Sequence, residues 1–428
     1  MSRLRTPTER RPIHSLAMLL LVLGCAALIS AGCGRRTDPS TTDSSADEPA
    51  KIKICYLGLT CEPAIFVAYE KGFFKEEGLD VELVKSDWGS MRDGLAEGRF
   101  QATYHLSMYL MKPIEMGMDL RLTGGIHTGC LRVQAGMKTD IKNVADLKGK
   151  RVGITHMGSP PFLFTSRVLA ANGLDPKNDV EWVAMPVDAM SKALDQGRVD
   201  AVASAEPVGT MLLAENKVYK VCDQASDAPY DDEYCCVVVV NGKFAREDPS
   251  AAAKVTRALF KGAKWVSANP TAAARLAVEK KYVDATTEIN AQAIAMLKYE
   301  PGVAKARRDI KTAALEMRKA GFLKKDTDPE ELVKKAWLDL DGVTDDWIKS
   351  LTVEKVAGGG RPPKLSPAHF VALFNRGLCC QGGACLGCCG DLGEGLLPMT
   401  GEWALVRPLR LDRALNPDGG TTYVKADR

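Results

Sequence analysis

One stretch of this chain repeats its own order of elements, and that repeat limits the fold more than any other feature. Lys51 to Tyr104 reads as strand, helix, strand, helix, strand. KIKICYLGL predicts a strand, and helical spacing follows from Pro63 to Phe74, with Pro63 suited to a first turn. Gly78 ends that unit and DVELVKS predicts the next strand. Ser90 is expected to cap a short helix through Glu97, with ATYHL as the strand after it. The order returns about 95–100 residues later. RVGITHM predicts a strand, Pro160-Pro161 opens a helix to Ala171 and Gly173 ends it; DVEWVAMP, a helix from Ala189 to Gln196, and DAVASAE complete the unit. Gly78-Leu79-Asp80 is echoed by Gly173-Leu174-Asp175. Leu95, Gly98, Arg99 and Ala102 are echoed by Leu194, Gly197, Arg198 and Ala201. Two α/β lobes with similar βαβαβ cores and parallel strands follow. Two apolar segments, CLRVQAGM (Cys130 to Met137) and EYCCVVVVNG (Glu233 to Gly242), are expected to connect the lobes. Helical patterns then fill Pro249 to Ser267, Pro270 to Glu279, Thr287 to Leu297 and Ile310 to Ala320. The first lobe is expected at 51–135 and 243–355, and the second at 136–242.

The amino terminus carries a different message. Arg3, Arg5, Arg10 and Arg11 precede an apolar run from Leu16 to Ile29, and small residues lead into Cys33. Such a run followed by a cleavage pattern reads as a secretory leader rather than a spanning helix. Ser30-Ala31-Gly32-Cys33 resembles a bacterial lipobox, although Ser30 stands where Leu is usual. That resemblance implies lipidation of Cys33 after cleavage and an extracytoplasmic, membrane-tethered protein. Residues 34–50 are rich in Ser, Thr, Asp and Pro and read as a flexible linker. The net charge of +3 over 428 residues is spread along the chain, and no basic block suggests nucleic acid. Of the 13 cysteines, loss of Cys25 with the leader and use of Cys33 for lipid leave 11, so at least one thiol escapes intramolecular disulfide pairing.

Phe66-Val67-Ala68-Tyr69-Glu70-Lys71-Gly72-Phe73-Phe74-Lys75-Glu76-Glu77-Gly78-Leu79 resembles the first helix of the nitrate/sulfonate/taurine and pyrimidine-precursor family of periplasmic solute-binding proteins. Asp146 to Ile154 resembles that family's entry into the second lobe, and Leu194 to Ala201 and Glu206-Pro207 fit its later segments. The similarity covers roughly residues 51–350. It implies an α/β, two-lobed periplasmic-binding-protein (type II, Venus-flytrap) fold. It also implies a monomer that captures a small-molecule solute and passes it to the permease of an ABC importer. No cofactor is expected.

In parallel α/β sheets, ligands bind beyond the carboxyl ends of strands, where helix N-termini offer unpaired N–H groups. The turns at those ends supply the candidate ligand-binding residues. From the first lobe these are Cys61, Glu62, Trp88, Ser90 and His105, with His127 near the connection. From the second they are Gly158, Ser159, Asp188 and Glu206. None of these turns contains Lys or Arg, which favours a cationic, zwitterionic or aromatic solute or a metal complex over a free oxyanion. Cys61, Cys130, Cys235 and Cys236 fall near the same rim as His105, His127 and His156, so a metal-binding lipoprotein is one alternative. Adjacent Cys235 and Cys236 are expected on opposite strand faces, with only one of them near Cys130. A second alternative is an enzyme resembling the thiamine-pyrimidine synthases of this fold, whose short cysteine-rich motif residues 51–355 lack; apart from that resemblance, His127-Thr128-Gly129-Cys130 admits Cys130 as a nucleophile activated by His127.

The binding-protein pattern stops after Val356 to Pro363. Cys379-Cys380-x4-Cys385-x2-Cys388-Cys389 places five thiols within 11 residues. This cysteine-rich C-terminal tail, 356–428, is open to metal-thiolate and disulfide readings alike.

Overall fold

The computed structural model describes residues 51–362 and two strands near the carboxyl terminus, Leu411–Leu415 and Thr421–Lys425, which pair antiparallel. The leader, Cys33, the 34–50 linker and the tail cysteines lie outside the described residues.

Ten strands form two five-stranded sheets. The first contains β1 (Ile52–Tyr56), β2 (Val81–Lys85), β3 (Ala102–Leu106), β4 (Leu120–Thr128) and β10 (Tyr234–Asn241), in the order β2-β1-β3-β10-β4. The second contains β5 (Leu131–Gly136), β6 (Arg151–Ile154), β7 (Glu181–Ala184), β8 (Ala201–Ala205) and β9 (Val218–Asp223), in the order β7-β6-β8-β5-β9. Each sheet therefore has the same plan: three strands of a βαβαβ unit, one strand from the other end of the chain's excursion, then an edge. The repeat seen in the sequence is this plan. Ile54 partners Ala102 in one sheet as Val152 partners Ala201 in the other.

Two expectations change here. The sheets are mixed, because β10 runs antiparallel to β3 and β4, and β5 runs antiparallel to β8 and β9. The two segments expected as connecting strands are interior strands of the opposite lobes from those assigned: β5 belongs to the second sheet and β10 to the first. The chain crosses at Gly129-Cys130 and again between Asp223 and Tyr234. Physical logic explains the direction. Both crossings lie at the carboxyl ends of the parallel strands, so a strand that starts at a crossing must run against its neighbours. Val237 to Val240 are fully buried, as a central strand covered on both faces requires. β4 lacks an alternating pattern because Gly124 and Gly125 let Phe260 and Tyr234 pack against its backbone, where a Cβ would stand 2.3–2.4 Å from a ring carbon.

The helices follow the sequence with local shifts. The first breaks at Gly72, whose φ of 80° is left-handed, into Pro63–Glu70 and Phe73–Glu76. The helix Trp88–Ala96 is capped by Asp87, which accepts from the Gly89 and Ser90 amides. Ser90 is not the cap: it lies three residues past Asp87, inside the first turn, where its amide is one of the donors being capped. Pro160–Ala171 has the expected bounds. Pro249–Ala268 packs on Pro63–Glu70 and buries Phe260 and Trp265, each contributing about 1.5–3 kcal/mol or more by area. Ala304–Lys319 starts earlier than the pattern indicated and packs on β4 and β10 while touching Pro160–Ala171. No helix among the described residues is long and apolar enough to cross a membrane.

Candidate functional site

The site is built where the chain crosses between sheets. After β1 the backbone turns through Thr60-Cys61-Glu62. The Glu62 carboxylate accepts from the amides of Leu57, Gly58 and Leu59 at 2.7–3.1 Å, and so holds the turn shut. Burial pushes its pKa up to about 8, against the pull of those amides. The turn fixes Cys61, whose carbonyl accepts from the Tyr104 hydroxyl at 2.7 Å and the Tyr299 hydroxyl at 3.0 Å. His127, near the end of β4, partners Cys236 in the sheet. The Cys61 and Cys236 sulfurs and a ring nitrogen of His127 lie within 4.8 Å of one another.

A second triad shares Cys236. The sulfurs of Cys130, Cys235 and Cys236 also lie within 4.8 Å of one another, and Cys130 Sγ is 2.9 Å from Cys235 Sγ. Proximity of Cys130 to this pair was expected; participation of both adjacent cysteines was not. The register slips on either side of Cys236, and such a bulge places two neighbouring side chains on one side of the strand. Cys130 has a φ of 105°, a conformation costing about 1–3 kcal/mol in a non-glycine residue, and Gly129 before it is also left-handed.

The second lobe closes over this floor. The Glu206 amide donates to the Cys130 carbonyl at 3.1 Å. The Glu206 carboxylate is buried and meets Arg132 at 2.8 Å, while Arg132 Nε reaches Asp223 at 3.0 Å. Arg132 Nη2 also lies 2.8 Å from the Met296 sulfur, and its Nη1 has no protein partner. Farther along, Arg167 of Pro160–Ala171 is bound by Glu233 at 2.9 Å and by Glu316 at 2.7 Å. Glu316 belongs to Ala304–Lys319, so this pair joins the second lobe to a helix seated on the first sheet.

Two sheets of one plan, joined by two crossings, meet a direct comparison. The profile of the NMT1-like family matches residues 45–279, more than half of the chain. The chain belongs to the NMT1-like family. It is 25% identical over 306 residues to the nitrate/nitrite binding protein NrtA of Synechococcus elongatus, across 61% of this chain and 69% of that protein. It is 28% identical over 257 residues to a putative thiamine biosynthesis protein of Haemophilus influenzae, across 58% of this chain and 79% of that one. The crystal structure of the periplasmic nitrate-binding protein NrtA from Synechocystis superposes with a TM-score of 0.58 at 20% identity, over 75% of this chain and 92% of that one. The fold is that of the periplasmic binding proteins.

Within this NMT1-like chain, the expected site residues sort into three groups. Cys61, His127 and Glu206 come together at the crossing with Cys130. Glu62 stands beside them but is occupied by its own loop. Trp88 and His105 form an adjoining pair, edge to face with ring centroids 4.8 Å apart. His105 Nδ1 accepts from the Leu106 amide at 2.8 Å, its Nε2 is unpartnered, and burial drives its pKa down to about 3. Ser159 is buried with an unpartnered hydroxyl at the start of Pro160–Ala171, next to the left-handed Gly158. Ser90 and Asp188 fall outside this grouping: both are exposed, and the Ser90 hydroxyl donates to Asp87. Two buried arginines stand outside the strand-end turns, Arg132 in β5 at the crossing and Arg167 on Pro160–Ala171. Each was legible as a lone charge in an apolar element, CLRVQAGM and PPFLFTSRVLAA.

Proposed function

We propose that this protein captures a small solute between its two lobes and delivers it to the permease of an ABC importer. It works as a monomer outside the cytoplasmic membrane, tethered by lipid on Cys33. One observation carries the reading: turns from both lobes converge on the Gly129-Cys130 crossing, where Glu206 of the second lobe meets Cys130 above Cys61 and His127 of the first. A pocket assembled from two lobes is completed by closure, so solute binding and closure are linked. The nitrate-binding relatives support a transport role without assigning this solute. Arg132 is countered by two carboxylates, which argues against a bare inorganic anion.

The nucleophile reading is weaker than binding. Cys130 contacts Cys235, and burial together with that contact pushes its pKa up to about 12, far from an activated thiolate. The test is mass spectrometry of whatever is released from freshly purified protein, followed by calorimetry and small-angle scattering with that compound. Binding with compaction supports the proposal; turnover of the compound, or binding without compaction, defeats it. Lipid labelling that disappears in Cys33→Ala checks the tether, and labelling that persists removes it.

A further inference from the structure

We propose that the floor of the cleft is a binding site for a thiophilic closed-shell cation, Cu(I) or Zn(II), held by Cys61, His127 and Cys236 with Cys130 or Cys235 as a further thiolate. Two triads of donors, each within 4.8 Å, share Cys236. Metal–sulfur bonds of about 2.3 Å and metal–nitrogen bonds of about 2.0–2.1 Å set donors roughly 3.5–4 Å apart around one ion, so a small contraction completes the shell.

The histidine is presented as a ligand would be. His127 Nδ1 lies 3.2 Å from the Thr128 carbonyl, which makes Nδ1 the N–H donor. Nε2 then carries the lone pair, and it is buried without a protein partner. Metal-bound imidazoles are oriented in this way by a carbonyl on the other nitrogen.

Charge points the same way. Arg132 is already matched by Glu206 and Asp223. A bound cation supplies the missing positive charge as each ligating cysteine gives up its proton to solvent. Thiolate and imidazole donors, with Glu62 committed to its loop amides, select soft or borderline ions over hard ones.

The proposal deepens the solute-binding reading and rests on it only for the fate of the ion, since binding needs only these five side chains. The experiment uses the full mature chain with Cys379, Cys380, Cys385, Cys388 and Cys389 replaced by serine, so that the tail contributes nothing. The reduced protein is titrated with Cu(I), and separately with Zn(II), against a competing chelator. One equivalent should bind, with sulfur and one nitrogen in the X-ray absorption spectrum; the tighter of the two arms identifies the ion. C236S should weaken binding by about 100-fold or more and H127A should remove the nitrogen scatterer, whereas C222S, a buried thiol outside the cluster, should change neither. If C236S does not fold, protection of Cys61 and Cys236 from alkylation by bound metal, mapped by mass spectrometry, gives the same answer on the unsubstituted cluster. No stoichiometric uptake, uptake unaffected by these changes, or a Cys130–Cys235 disulfide in protein isolated without reductant overturns the site. Failure of uptake with solute-driven compaction intact removes the metal alone; uptake without compaction by any bound solute removes the transport reading and leaves the metal.

Discussion

At the scale of single residues, Glu62 is the clearest case of a side chain whose role differs from its sequence appearance. Its place after β1 suggested contact with solute, yet its oxygens are taken by three successive amides. Glu62→Ala should therefore destabilise the fold by about 1–3 kcal/mol, the cost of leaving buried donors unpaired. A thermal melt unchanged from wild type would show that the loop does not depend on it. Gly129→Ala is expected to be as damaging. An added Cβ would stand 2.9 Å from the Ala225 Cβ, at a φ of 81°, and the strain belongs in the range of about 1–3 kcal/mol; denaturant unfolding with an unshifted midpoint would contradict it. Cys61, His127 and Glu206 were legible because strand-end turns in an α/β repeat have a known destination. Arg132 and Arg167 were not placed, because their partners lie 74 and 91 residues away in one case, and 66 and 149 in the other, and no local pattern carries such pairings.

At the scale of elements, the βαβαβ units could be read directly, since each turn chemistry and apolar run agrees with its neighbour. The direction of β5 and β10 could not. A continuous apolar run such as YCCVVVVN signals a buried strand but contains nothing that fixes its sense or its sheet. The bulge around Cys236 was hidden for the same reason: periodicity assumes regular pairing. Two element-level tests follow from the ion pairs. Arg167→Met leaves Glu233 and Glu316 facing each other without their cation. It should cost about 3–5 kcal/mol as a broken buried pair, and scattering should report a larger radius of gyration if the pair also holds the lobes together. An unaltered melting temperature would exclude a structural role. Asp200, just before β8, binds the Arg151 side chain and amide at 2.8–3.1 Å. Burial alone would raise its pKa, and these bonds outweigh burial and lower it. Its contribution is thus fully present above the unfolded carboxylate value of about 3.9 and is lost as pH falls through the lower folded value. Asp200→Asn should flatten that part of the acid unfolding curve; a curve superimposable on wild type would remove Asp200 from the account.

At the scale of the whole molecule, two sheets of the same strand order share a doubly crossed junction, and the candidate site sits on that junction. Residues on a hinge move least when lobes open, so a ligand at this floor is approached by the second lobe rather than carried on it. Glu206→Ala should weaken solute binding about 10-fold or more, and it should also lower the melting temperature, because it strips the buried Arg132 of a partner; equal affinity in calorimetry would shift the site away from the crossing. The location of the donors has one more consequence. Cys61, His127, Cys235 and Cys236 all stand on the first lobe, and Cys130 on the crossing itself, so parting the lobes breaks no bond to an ion held there. Exposure and release become separate events. Opening makes the ion reachable, but departure waits for a rival set of donors to take it one bond at a time, and the rate of transfer is then set by the chemistry of the acceptor rather than by the swing of the lobes.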